Sequence, residues 1–194
     1  MPNYYFDLET DTEDRTRPDP TKDKIVSICY QPVYDDSGNA KGPMVILRAW
    51  KTSEVQILQQ FLEMTGWLDK NPSPWQFIPV GFNLSYDLTI LIHRSSALLE
   101  KKLSWAFLFS QLPKVDLKTL IVLANKGKFK GSSLDNFSQK KSSGKKAYEH
   151  IQDKNWLELI NYIETETVAF LELYQYLLDN LPQFIQKFIQ DFDK

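Results

Sequence analysis

The order in which hydrophobic periodicity changes along the chain constrains its fold more than any other feature. Strand signals with a period of two occupy 3–9, 25–34 and 43–50. The last two are joined through Asp36-Ser37-Gly38-Asn39, a sequence suited to a hairpin turn. A helical period then takes over. The spacing predicts a helix over about 53–69, with Ser53 as N-cap and Val55, Leu58, Phe61, Leu62 and Leu68 as its apolar stripe. Asn71-Pro72-Ser73-Pro74 breaks the chain, and Phe77-Ile78-Pro79-Val80-Gly81-Phe82 reads as a short buried strand. Helices are expected at about 85–101 and 103–110, with Lys114-Val115-Asp116-Leu117 as a last short strand. The C-terminal third reads as helical, at about 133–140, 153–180 and, after Pro182, 182–192. A meander of strands followed by strands interleaved with helices predicts an α/β domain on a mixed sheet. No internal repeat or linker divides the 194 residues, so a single domain over 1–194 with a full core is expected.

Composition narrows the functional classes. Apolar residues at 42% and charged residues at 25% give the balance of a soluble globular protein. No apolar run approaches the roughly 20 residues needed to cross a bilayer. The N-terminus shows no basic-then-apolar signal sequence, so a cytoplasmic location and no membrane partner are expected. Cys29, the single cysteine, lies in the apolar run Ile25–Tyr30 and is expected to be a core thiol. A net charge of −2 excludes a globally basic protein, so any nucleic-acid contact must rest on local positive charge. Such a concentration exists. Between Lys126 and Lys146 lie seven lysines (126, 128, 130, 140, 141, 145 and 146) against one acid, Asp135. Glycines and serines in the same stretch mark loops, which can serve as an electrostatic arm along a phosphate backbone or as a merely solvated surface.

Three short segments carry groups that can do chemistry. In Asp7-Leu8-Glu9 the two carboxylates are one residue apart on a strand, so both project from one face. Like charges there repel unless a cation lies between them. In Gly81-Phe82-Asn83-Leu84-Ser85-Tyr86-Asp87, the strand exits into a helix that Ser85 can cap, and Asp87 falls in its first turn. That step places Asn83 and Asp87 beyond a strand end, where α/β sheets commonly bind ligands. In Asn161-Tyr162-Ile163-Glu164-Thr165-Glu166, Tyr162 and Glu166 are four apart and share one helical face at the edge of the apolar stripe.

In this order and spacing the segments resemble the three exonuclease motifs of the DEDD superfamily, the 3′→5′ exonucleases built on the ribonuclease H-like fold. The match is to the tyrosine-bearing (DEDDy) branch, and is most similar to the proofreading exonuclease domain of family B DNA polymerases in a stand-alone form. The resemblance covers essentially the whole chain and extends to Val115-Asp116-Leu117 and Ser133-Leu134-Asp135-Asn136-Phe137. The histidine branch is not matched, because five residues after His150 comes Asn155.

The resemblance implies a ribonuclease H-like α/β fold with a mixed five-stranded sheet flanked by helices. It also implies two divalent metal ions, Mg²⁺ or Mn²⁺, held by Asp7, Glu9, Asp87 and Glu166, with Tyr162 orienting the attacking water. A neutral phenol is a poor base at pH 7, so its role is orientation rather than proton abstraction. Asn83 would position Asp87 or a substrate phosphate. Leu8 and Phe82, with Phe6, are candidates to stack on or wedge terminal bases, against core packing as their more ordinary role. Lys126, Lys128 and Lys130 would attract the backbone. One departure stands out: the family's fourth acid is Asp, whereas Glu166 is one methylene longer. The expected substrate is the 3′ end of single-stranded nucleic acid, DNA before RNA, and a proofreading or repair role would need a polymerase or other repair partner. Two alternatives remain: a ribonuclease H-like module that binds single strands with little or no catalysis, and a ribonuclease H-type endonuclease, which would not need the late Tyr-x-x-x-acid. Phe184, Phe188 and Phe192 would dock on the core or on a second subunit.

Overall fold

The computed structural model describes residues 2–13, 18–137 and 144–192. Lys140 and Lys141, and the side chains of Phe184, Phe188 and Phe192, lie outside that description. The chain forms a five-stranded mixed sheet flanked by helices. The strands are β1 (Asn3–Asp11), β2 (Lys24–Val33), β3 (Val45–Arg48), β4 (Ile78–Gly81) and β5 (Val115–Asp116), in the order β3-β2-β1-β4-β5. β2 is antiparallel to both β1 and β3, whereas β4 runs parallel to β1 and β5 parallel to β4. β1 is the central strand, paired along its length with β2 and over Asn3–Tyr5 with β4.

Those faces alternate as the period of a strand requires. Tyr4, Phe6 and Leu8 turn to one layer, packed with Phe61 of α1 (Glu54–Thr65) and Leu88 and Leu91 of α2 (Leu84–Leu98). Aromatic rings fill much of this layer, with Phe6 stacked on Phe61 at 5.2 Å and Phe61 edge-on to Phe77 at 5.6 Å. Tyr5 turns to the other layer and meets Phe170 at 4.7 Å. That residue belongs to a long helix spanning Trp156–Phe192. Between β5 and it lie α3 (Leu117–Ala124), α4 (Leu134–Phe137) and α5 (Gly144–Gln152), so the long helix is α6.

Several expectations are corrected. Val55 is 37% exposed, and the buried stripe of α1 runs through Ile57, Leu58, Phe61 and Leu62. Ser53 does cap α1, accepting from the Gln56 backbone N–H at 3.2 Å. The cap of α2 is Asn83 rather than Ser85, which lies exposed within the helix. Residues 107–111 wind as a π-helical turn. α3 and α5 are additional to the helices expected, and α6 runs through Pro182 without interruption. A proline there lacks the N–H that would bond to the carbonyl four residues back, so continuity must come from the flanking turns. Cys29 is 1% exposed, as its apolar setting implies. Among the described residues no helix is long and apolar enough to cross a membrane.

Candidate metal centre

β1 presents Asp7 and Glu9 from the face that looks toward α6, the face opposite Phe6 and Leu8. From α6, Glu166 reaches the same point. One carboxylate oxygen each of Asp7, Glu9 and Glu166 lie within 4.8 Å of one another. An octahedral Mg²⁺ with bonds of 2.0–2.1 Å sets neighbouring ligand oxygens about 3 Å apart and opposite ones about 4 Å apart, so the three carboxylates would close by roughly 1–2 Å onto a single hard cation. Oxygen-only donors are the chemistry that Mg²⁺ and Mn²⁺ select.

The fourth acid of the expected set, Asp87, is not part of this 4.8 Å group and stands on the helix that follows the neighbouring parallel strand. β4 ends at Gly81, where an added Cβ would lie 2.7 Å from the Phe6 carbonyl oxygen and would meet the Leu84 side chain. Only glycine allows β4 to pass this close to β1 and turn at once into α2. Asn83 makes the turn in the left-handed conformation, at φ 66°, which asparagine tolerates better than most residues. Asp87 then sits in the first turn of α2, 5% exposed. Burial first, then the charges of Asp7, Asp116 and Glu166, push its carboxyl well above the ordinary aspartate range. Every carboxylate named there disfavours ionisation of Asp87, and a bound cation would reverse that.

Tyr162 is buried beside the cluster and is hydrogen-bonded to Glu166, its hydroxyl donating to the carboxylate. Burial, the negative charge of Glu166 and Glu9, and this bond hold the phenol far above its usual titration range. It is therefore neutral at any physiological pH and serves as a donor. Beneath the carboxylates the sheet surface is buried. Cys29 stands opposite Asp7 and Ser27 opposite Glu9 across the β1–β2 pairing. The Ser27 hydroxyl is fully buried and has no hydrogen-bond partner among the described residues. Burial and the nearby Asp7 push the Cys29 thiol up.

Asp116, at the end of β5, ties the two strand exits together. A single oxygen, Oδ1, accepts the Asn83 backbone N–H at 2.8 Å and the Lys118 backbone N–H at 3.0 Å. The second bond caps α3. Lys118 Nζ then donates to Asn83 Oδ1 at 2.8 Å, closing a ring of three residues around the left-handed turn. Asn83 is thus occupied with the turn, and it positions Asp87 through backbone rather than through a direct bond. Sequence reading did not single out Lys118, although an acid at a strand exit with a lysine two residues later was the available signal.

The remaining candidates separate. Leu8 is buried in the aromatic layer on the face away from the carboxylates, so its expected place against terminal bases is corrected to a core role, and fully buried Phe6 shares it. Phe82 is half-buried against the α6 layer. Lys126, Lys128 and Lys130 are exposed on the loop after α3. Beside Glu9 opens a cleft of about 280 Å³ lined by Thr10, Thr12, Tyr86, Ala147 and Tyr148. No protein-family model matches the chain, and no curated protein sequence matches it.

Proposed function

We propose that this chain is a divalent-metal-dependent 3′→5′ exonuclease of the tyrosine-bearing type, acting on single-stranded nucleic acid from a ribonuclease H-like fold. The observation that carries the reading is the convergence of Asp7, Glu9 and Glu166 to within 4.8 Å, with buried Asp87 sharing their field and Tyr162 bonded to Glu166. The sheet order, with one antiparallel edge and a parallel β1-β4-β5 half, is compatible with that fold.

Asp7, Glu9 and Glu166 would hold one ion, with Asp87 available to complete or share a second. Metal bound there supplies an activated water and charge stabilisation at the phosphodiester. The chain's own contribution is placement. The Asn83–Asp116–Lys118 ring fixes Asp87, the strand pairing fixes Asp7 and Glu9, and Tyr162 restrains Glu166 while remaining protonated. The longer side chain at 166 still reaches the cluster, so the departure from the family's aspartate does not by itself remove the donor set.

Oligonucleotides of DNA and of RNA, labelled at the 3′ or the 5′ end, test the reading when incubated with Mn²⁺. Stepwise shortening from the 3′ end, lost in Asp7→Ala, is expected. Internal cuts would assign an endonuclease instead. Binding without cleavage would assign the non-catalytic module. Unchanged degradation by purified Asp7→Ala would remove the site assignment altogether.

A further inference from the structure

After α3 the chain forms a short loop whose tip is Phe129, 74% exposed and flanked by Lys128 and Lys130. Leaving an aromatic side chain this open costs hydrophobic free energy that burial would recover. A mobile loop could fold such a ring back onto the surface, but this loop is held out by its own hydrogen bonds. The two hydrogens of Asn125 Nδ2 are shared among the Lys128 carbonyl at 3.0 Å, the Lys130 carbonyl at 3.1 Å and Ser132 Oγ at 3.0 Å. The buried Ser132 hydroxyl donates to the Lys128 carbonyl at 2.7 Å, and Asn136 Nδ2 donates to the Gly131 carbonyl at 3.0 Å. Left-handed residues at Lys126, Gly127 and Gly131 let the chain wrap around the Asn125 amide. The carbonyls on both sides of Phe129 are thus pinned inward while its ring points out.

We propose that this loop is a stacking platform for a base of a single-stranded nucleic acid, with Phe129 under the base and Lys128 and Lys130 on the adjoining phosphates. The charge pattern selects this partner over a protein. From Leu117 to Leu134 there are four lysines and no acid, which suits a polyanion with flat apolar faces. A preformed loop also loses little entropy when it binds. The proposal rests on the exonuclease reading for its substrate class but adds a contact distant from the carboxylates. Eight residues of α3 at about 1.5 Å each separate the Asp116 cap from the loop by roughly 12 Å. On this proposal the platform takes a nucleotide other than the terminal one, so its effect depends on strand length.

Fluorescence anisotropy with the full chain in EDTA, using labelled DNA and RNA strands of about 15 nucleotides, tests this. Phe129→Ala is expected to weaken binding about 5- to 100-fold with an unchanged dependence on salt, because a stacking contact releases no counterions. Phe129→Trp should bind at least as tightly as the parent. The Lys128→Ala/Lys130→Ala double variant should reduce the slope of log affinity against log salt by about 1.4. In Mn²⁺, Phe129→Ala should slow degradation of the long strand while leaving a trinucleotide unaffected. Phe129→Ala binding within twofold of a wild type that does bind would overturn the platform and leave the exonuclease reading standing. Wild type that binds but never cleaves would overturn the exonuclease and leave the platform. A wild type that binds neither sugar would overturn both.

Discussion

Replacing Asp116 separates a scaffold from a metal ligand. Oδ1 of this residue is the acceptor for two backbone N–H groups, those of Asn83 and Lys118, at 2.8 and 3.0 Å. Asp116→Ala removes a helix cap, which costs about 0.5–2 kcal/mol. It also leaves the Asn83 N–H unpaired in a half-buried turn, which adds about 1–3 kcal/mol. A small offset comes from withdrawing one of the negative charges that act on Asp87. The net expectation is a loss of about 2–4 kcal/mol, or roughly 5–15 °C in Tm for a chain of this size. Asp116→Asn keeps the amide oxygen where Oδ1 stands, retains both bonds at neutral strength, and should cost less than about 1.5 kcal/mol. Urea and thermal unfolding of the two variants measure this directly. Nuclease rate should follow the same order, because loosening the left-handed turn at Asn83 displaces Asp87. If Asp116→Asn loses activity as completely as Asp7→Ala while its stability is unchanged, Asp116 is itself a metal ligand and the scaffold account is wrong. If Asp116→Ala unfolds within about 0.5 kcal/mol of wild type, the ring around Asn83 does not carry stability.

Three further changes follow from the same geometry. Asp87 has its folded-state pKa raised by burial and by Asp7, so without metal its contribution to stability grows as pH falls through the folded value toward the unfolded one near 3.9 and is lost as pH rises. Asp87→Asn should therefore raise the Tm of metal-free protein at pH 7, flatten the acid-side stability profile and diminish the stabilisation by millimolar Mg²⁺; a variant less stable than wild type in EDTA refutes this. Glu166→Asp is expected to keep Mn²⁺-dependent degradation within about tenfold of wild type, whereas Glu166→Gln should reduce it by at least about a hundredfold, measured as initial rates on a 3′-labelled strand. Arg94 donates from Nε and Nη2 to both Glu54 oxygens at 2.6 Å, and each side chain is largely buried, at 13% and 16% exposure. Arg94→Ala should cost about 3 kcal/mol in urea unfolding, because Glu54, which also accepts the Ile25 N–H, loses its charge partner.

The positions of the acids were legible because each depended on a local rule. A two-residue spacing on a strand fixes Asp7 and Glu9 to one face, and a four-residue spacing on a helix pairs Tyr162 with Glu166. Gly81 and Asn83 were legible as a strand exit, but the cap of α2 was assigned to Ser85 and the left-handed turn at Asn83 was not anticipated. Elements set by tertiary contact were not. α3 is eight residues, Leu117–Ala124, and mostly apolar, too short and too uniform for a helical period to emerge. α5 does carry the signal, with Ala147 and Ile151 buried four apart, but its lysines and the preceding glycine and serines read as loop. The base-stacking role of Leu8 and Phe6 came only from their position in the motif, whereas core packing, the role weighed against it, followed from strand alternation and is what the structure shows. Asp116 and Lys118 carried a local signal as a pair, but their joint role was hidden because their shared partner, Asn83, is more than thirty residues away.

The site's character follows from what lies under it rather than from its acids alone. Asp7 and Glu9 stand on a sheet surface made of Cys29, Ser27 and Tyr5, all buried. Tyr5 is pushed well above its ordinary range by burial, then by Asp7, and the Tyr5 hydroxyl is engaged with Thr167. Water therefore solvates the acids only from the open side, and apolar residues at these positions would be cheaper for the fold. Arrangements of this kind persist where strain serves a function. An oxygen-lined, one-sided, negatively charged recess is what a hard cation with retained waters requires, since such an ion keeps part of its hydration shell on the open side. The same asymmetry accounts for Tyr162. Buried beside the cluster and bonded to Glu166, it presents a neutral donor to the carboxylates.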